Sequence, residues 1–259
     1  MSTPSVLRAT ESWAIGYRRL WRATLFSTII TPVLYLGAMG VGLGSLVNAG
    51  THRASLGGVD YLSFLAPGLL AAAAMQTAAT EATWPVMASI KWIGTYKAML
   101  ASPLGIADVA LGHLLWMAVR VTLTSAVFVV IIAAFGAAQS PEIILAIPAA
   151  ALTGMAFAAP IAAYTASLDR DTGLAALMRF GIMPLFLFSG TFFPVRQLPA
   201  AIRPLAYVTP LWHGVDLCRS LSLGTATLGR ATMHVGYLAL WVVAGTLATV
   251  ARMRRRLVT

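Results

Sequence analysis

Apolar residues run along the chain in stretches of about twenty positions without a charge, broken by short polar segments. Crossing roughly 30 Å of hydrocarbon takes about 20 residues at a helical rise of about 1.5 Å, so each run predicts one membrane-crossing helix. The expected spans cover residues 25–47, 61–80, 115–135, 143–168, 174–193 and 231–251. Two of them bring an arginine along. Arg120 lies close enough to the surface in the third span to snorkel, and Arg179 falls in the second turn of the fifth. The pattern predicts an all-α polytopic membrane protein with six transmembrane helices and both ends of the chain on one side.

Composition agrees with this reading and excludes a soluble fold. Of 259 residues, 59% are hydrophobic and 10% charged, where a soluble domain carries roughly 25% charged residues. The net charge of +10 would suggest nucleic acid in a soluble chain, but here the basic residues flank apolar runs, as topology determinants do. Counting Lys and Arg puts 11 on the side of the chain ends and 5 on the other, with Arg120 and Arg179 at membrane depth, which predicts cytoplasmic termini in the plasma (inner) membrane. No nucleic-acid partner is expected. A cleavable signal peptide is not expected either, because the run from Leu25 outlasts an h-region and lacks a small-residue exit. The single cysteine, Cys218, allows no intrachain disulfide, and the histidines at 52, 113, 213 and 234 have no zinc-finger spacing.

The segments between spans carry their own patterns. Over residues 5–22, Trp13, Tyr17 and Trp21 recur every four positions and share a face, predicting an interfacial helix with its rings at headgroup level and its arginines on anionic lipid. The longest loop on the same side contains an amphipathic helix over 91–101, with Trp92, Tyr96, Met99 and Leu100 on one face, Lys91 and Lys97 beside them, and Pro103 as its stop. It reads either as a second interfacial helix or as a knob for a soluble protein's groove. On the opposite side, residues 197–224 are too apolar for an exposed loop, and Pro199, Pro204 and Pro210 interrupt any full span. A pair of re-entrant helices is expected there, the second capped by Thr209, begun by Pro210 and ended by Gly224.

Most catalytic chemistry is missing. Lys91 and Lys97 follow Ile90 and Tyr96, so the chain has no glycine-rich P-loop and binds no cofactor of its own. No H-E-x-x-H or clustered carboxylates point to a metal. Ser189 and His234 invite comparison with intramembrane serine proteases, but Leu187 replaces the glycine those enzymes carry two positions earlier. Gln76, Thr77, Thr80 and Glu81 give the second span a polar stripe that faces either a substrate path or a neighbouring helix, and Phe188 and Ser189 on the fifth span are further path candidates. Gly37, Gly40 and Gly44 permit close helix approach.

The stretch Leu-Phe-Leu-Phe-Ser-Gly-Thr-Phe-Phe-Pro-Val-Arg-Gln-Leu-Pro over 185–199, followed by Pro-Leu-Trp-His-Gly from Pro210, closely resembles the signature of ABC-2 type permeases, nearest to the nodulation-factor and daunorubicin exporter group. Residues 94–103, Gly-Thr-Tyr-Lys-Ala-Met-Leu-Ala-Ser-Pro, are similar to that family's coupling helix, although many relatives carry an acidic residue in place of Lys97. The resemblance implies a single ABC-2 type transmembrane domain that pairs with a second permease subunit, a homodimer or a related paralogue. It also implies two copies of a separate ATP-binding subunit, which hold the ATP and Mg, and export of an amphipathic lipid, glycolipid or drug-like molecule. Trp92, Thr95, Tyr96, Lys97, Met99 and Leu100 would then be the ATPase-coupling residues. The alternative is an ATP-independent secondary transporter or channel using Glu81, Arg120 or Asp108.

Overall fold

The protein is described from a computed structural model, which covers residues 5–18, 21–44, 47 and 58–257. Helix α1 spans Ser5–Tyr17; α2 spans Trp21–Tyr35 and runs on as a π-helical stretch over Leu36–Leu43. Then follow α3 (Tyr61–Ala82), α4 (Trp84–Met87) with a π-turn over Ala88–Trp92, α5 (Thr95–Leu100), α6 (Ile106–Ala134), and α7 (Ala146–Ser167), which a 3-10 turn over Pro141–Leu145 leads into. The C-terminal part holds α8 (Thr172–Ala176), a π-turn over Leu177–Ile182, α9 (Met183–Phe188), α10 (Arg203–Val208), α11 (Pro210–Leu223) and α12 (Leu228–Leu257). No strand occurs among the described residues. Arg19, residues 45 and 46 near the end of the expected first span, and Arg53 in the loop after it lie outside them.

Among the described residues, four helices are long and apolar enough to cross a membrane: Tyr61–Trp92, Ile106–Ala134, Pro141–Ser167 and Leu228–Leu257. The stretches expected as first and fifth spans contain shorter apolar helices, Thr28–Gly40 and Thr172–Phe188. Local chemistry moves several boundaries outward. Helix α6 begins at Ile106 rather than 115, because the Asp108 carboxylate accepts the Gly105 backbone N–H at 2.9 Å and caps the first turn. Helix α12 runs on to Leu257, with Arg254, Arg255 and Arg256 in a last turn whose dipole favours cations.

Helix α7 is the hub, packed against α3, α6, α11 and α12. Lipid offers apolar side chains no reason to leave it, so helices associate through small residues that let backbones approach and through polar contacts between them. Both devices are present. Ala71, Ala72, Ala78 and Ala79 of α3 and Ala158, Ala159 and Ala162 of α7 are fully buried. A Cβ on Gly214 of α11 would fall 2.2 Å from Thr153 Oγ1 of α7, so this crossing admits only glycine. Thr165 donates to the Ala82 carbonyl and Thr249 to the Ala159 carbonyl, each at 2.8 Å, tying α7 to α3 and to α12.

One end of the bundle, called basal below, gathers α1, α4, α5 and the C-terminal turn of α12. Arg256 donates to the Ala166 carbonyl at 2.9 Å and pairs with Asp169 at 3.2 Å, and Lys91 donates to the Asp169 backbone oxygen. The opposite, apical end holds α10, α11 and the start of α12, where the Gln139 N–H donates to the Ser222 carbonyl at 3.1 Å.

Candidate functional site

A cavity of about 280 Å³ lies between α2, α3 and α6, with Phe186 of α9 also on its wall. Each helix contributes one face. Thr24, Thr28 and Thr31 follow helical spacing on α2, as do Gln76, Thr77, Thr80 and Glu81 on α3 and Arg120, Thr124 and Phe128 on α6. The polar stripe read from the second span thus faces this space. Leu69, Ala73, Pro32 and Tyr35 complete the wall, so it grades from an ion pair at the basal end to apolar side chains deeper in.

That ion pair departs from the snorkelling expected of Arg120. Nε and Nη2 of Arg120 both donate to Glu81 Oε1, at 3.1 and 3.0 Å, and the two side chains are only 12% and 18% exposed. The guanidinium also lies 4.3 Å from the centre of the Tyr17 ring, which packs edge-on against Trp116. A guanidinium held between a carboxylate and an aromatic face is partnered within the protein without reaching for water. Arg179, in contrast, is exposed on the π-turn before α9.

The aromatic face of α1 therefore meets protein, where the sequence pattern placed it among lipid headgroups. Trp13 stacks on His113 of α6 at 3.9 Å and meets Tyr96 edge-on, while Tyr17 covers Arg120. Contact this close depends on a glycine: a Cβ on Gly112 would sit 2.6 Å from the Ala9 Cβ. Thr10 adds a hydrogen bond to the Gly112 carbonyl at 3.1 Å. Trp21, the third ring of the set, begins α2 and is 46% exposed.

The expected 91–101 helix is divided. Gly94 adopts a left-handed conformation (φ +73°), ending the π-turn and starting α5 at Thr95, so the face drawn through Trp92, Tyr96, Met99 and Leu100 is split in two. Tyr96 turns inward, fully buried, with its hydroxyl bonded to His113 Nδ1. Burial pushes its phenol far above the ordinary range, which keeps the hydroxyl protonated in this bond. Met99 and Leu100 are half-buried against the core, and Thr95 is half-buried too. The outward surface consists of Trp92 at 57% exposure, Ile93 at 77%, and the exposed Lys91 and Lys97. Ile93 was not singled out in the sequence, although helical spacing puts it beside Tyr96 and Leu100.

The signature segment after α9 lies away from the cavity. Phe188 is half-exposed, and Ser189 is buried with its hydroxyl 3.3 Å from Thr209 Oγ1, so neither lines the cavity with the α3 stripe, and the nitrogens of His234 meet His213 and Asp216. Gly190 turns the chain at φ +84°. Its carbonyl accepts from Arg219 Nη2 at 2.9 Å, the Thr191 carbonyl lies 3.4 Å from the same nitrogen, and the Phe64 carbonyl accepts from Arg219 Nε at 3.0 Å. The guanidinium packs 3.8 Å over the Phe64 ring. Arg219 thereby fastens α11 to α3 and to the signature turn. Sequence spacing gave no hint of it, since the acceptors are backbone atoms from two other segments. The second helix of this region has Thr209 accepting from the Trp212 N–H at 3.3 Å and Gly224 ending it at φ +68°.

Residues 11–223 match the family model described as ABC-2 type transporter. This chain belongs to the ABC-2 type transporter family. It is similar along almost its whole length to proteins named Nodulation protein J. The one from Rhizobium leguminosarum bv. trifolii is 33% identical over 243 residues, 94% of this chain and 90% of the relative. That of Neorhizobium galegae is 30% identical over 267 residues, 99% and 98% of the two chains. That of Rhizobium meliloti (strain 1021) is 30% identical over 94% and 90%. As an ABC-2 permease the chain is a membrane transport subunit, and the family implies pairing with an ATP-binding subunit.

Proposed function

We propose that this ABC-2 permease exports an amphipathic lipid, glycolipid or drug-like molecule across the plasma membrane, powered by two copies of a separate ATP-binding subunit that hold the ATP and Mg. A second permease subunit completes the transporter, and the basal end faces the cytoplasm. In this reading α2 and the α8–α9 segment join the four long helices to make six crossings, and α10 and α11 are re-entrant from outside. The observation that carries the proposal is the family match over residues 11–223 in a chain without a phosphate-binding glycine loop, so the energy must come from another polypeptide.

Coupling runs through the basal surface. Trp92 and Ile93 form an apolar projection flanked by Lys91 and Lys97, suited to a groove with an acidic rim. Force delivered there passes through the buried Tyr96 to His113 and Trp13, and so to α6 and α1. Tyr17 and Arg120 carry it on to the floor of the cavity, where Gln76, Thr77, Thr80 and Glu81 meet the substrate. Two states of the cavity with different affinity for cargo are what coupling to hydrolysis requires.

The test is co-expression with an ATP-binding subunit carrying Walker motifs. The wild-type chain is expected to copurify with it and to raise its ATP hydrolysis, while Trp92→Ala with Ile93→Ala lowers recovery of the complex at least tenfold without reducing membrane insertion. Unchanged recovery in the double variant would remove the docking assignment. Cargo movement in vesicles free of nucleotide would remove ATP-driven export.

A further inference from the structure

At the apical end, α11 and α12 are joined by a chain of ionisable side chains to which the transport reading gives no part. His213 Nδ1 lies 2.8 Å from His234 Nδ1, His234 Nε2 lies 3.0 Å from Asp216 Oδ2, and Arg230 Nη2 pairs with the same oxygen at 2.9 Å. Both imidazoles are buried. Tyr237 stacks on His213 at 3.9 Å, Trp212 packs edge-on against both rings, and the Tyr237 hydroxyl donates to the Val208 carbonyl at the end of α10.

Counting protons shows what this arrangement tolerates. Asp216, held by Arg230, accepts, so His234 Nε2 carries a hydrogen. One further hydrogen lies between the two Nδ1 atoms. When both rings are neutral, His213 donates it and His234 accepts. One added proton is accommodated, since one of the two Nδ1 atoms can still accept. A second added proton puts a hydrogen on both Nδ1 atoms, 2.8 Å apart, and sets two imidazolium rings against each other with their centres 5.0 Å apart. The bond then becomes a repulsion between α11 and α12.

No nearby group offsets that charge beyond those already engaged. Asp216 is shared with Arg230, and Arg219 is a further cation on α11. Helix α7 packs against both helices and has no acidic or basic residue over Ala146–Ser167. On the other elements, Tyr61 at the apical start of α3 donates to the Phe192 carbonyl, Arg203 of α10 donates to the Leu198 carbonyl at 2.7 Å, Glu142 on the turn before α7 is exposed, and Glu81, Asp108, His113 and Arg120 belong to the basal halves of α3 and α6.

We propose that His213 and His234 form an acid-released latch that holds α11 against α12 at the apical end of the permease and opens when both rings are protonated. In the orientation proposed above, that end meets the medium outside the cell, so the latch reads external pH. Cys218, the chain's one cysteine, is buried on α11 against the Ala146 carbonyl of α7 and reports any movement of α11 away from the bundle.

The test follows the reaction of Cys218 with dithiodipyridine, a reagent that works in acid, on the full chain in nanodiscs from pH 7.5 to 4.5, corrected for the rate of free cysteine. Protection is expected to fall at least tenfold in wild type between those limits. His213→Gln and His234→Gln each leave a single imidazole, and in either variant the fall should shrink to less than twofold. Wild-type protection that stays constant, or that falls equally in both variants, overturns the latch. Because the measurement needs no ATPase, its outcome is independent of the export reading.

Discussion

Arg219 shows how much one side chain can determine in this chain. A guanidinium presents its N–H groups as a rigid planar fork, and here the fork reaches carbonyls at Phe64 and Gly190 that belong to different parts of the fold. Replacing it with methionine keeps most of the volume but leaves the buried Gly190 carbonyl without its donor, at roughly 1–3 kcal/mol, and takes the second donor from the Phe64 carbonyl. Arg219→Met should therefore lower the melting temperature of the purified protein by several degrees. Arg219→Lys should recover only part of that loss, because one ammonium cannot reach both carbonyls. Thermal unfolding followed by tryptophan fluorescence would show it; a melting point equal to wild type would reduce the clamp to a passive contact. The Glu81–Arg120 pair makes a related claim. Removing one partner strands the other charge in a mostly buried site, whereas removing both does not. Glu81→Gln and Arg120→Gln should each destabilise more than the double substitution, and additive losses would argue against a coupled pair.

At the level of elements, periodicity made the long apolar helices legible and misplaced what lies against them. Runs of uncharged residues identify α3, α6, α7 and α12, since the bilayer demands that length and that composition. The stripe Gln76, Thr77, Thr80 and Glu81 was equally legible, as helical spacing puts those residues on one face whatever that face meets. What periodicity cannot tell is whether an aromatic face meets lipid or protein. Trp13 and Tyr17 fit a headgroup region as well as they fit α6, and the choice turns on Gly112, where a missing Cβ lets Ala9 approach. The inward turn of Tyr96 was hidden for a like reason: one glycine at φ +73° rotates α5 relative to the turn before it. Gly112→Leu should accordingly lift α1 from α6, making Ser5–Tyr17 sensitive to protease at concentrations that leave wild type intact. An undisturbed α1 in that variant would mean that the Trp13 and Tyr17 ring contacts hold the helix without close backbone packing.

For the molecule as a whole, the placement of its ends constrains the topology more firmly than any single span does. Helix α1 rests on the first half of α6, and Arg256 near the other end of the chain grips the last turn of α7, so both extremities of the described chain gather at the basal end. An even number of crossings follows. The four long helices satisfy that condition, and adding one short segment without the other would break it, so α2 and the α8–α9 segment cross together or not at all. Helix α2 with its π-helical extension has 15 and 8 residues, about 35 Å at α-helical rise and enough for the bilayer. The α8–α9 segment, Thr172–Phe188, comes to about 25 Å, so its end at the signature turn should remain below the outer surface, where Arg219 and α11 cover it. Reporters fused to the two termini should thus locate to the cytoplasm together. A cysteine at Ala200, exposed beyond the turn, should react with an impermeant maleimide from outside, while one at Thr191, fully buried behind it, should not. Labelling of Ala200 only after the membrane is permeabilised would invert the orientation, and with it the side on which α5 could meet an ATPase.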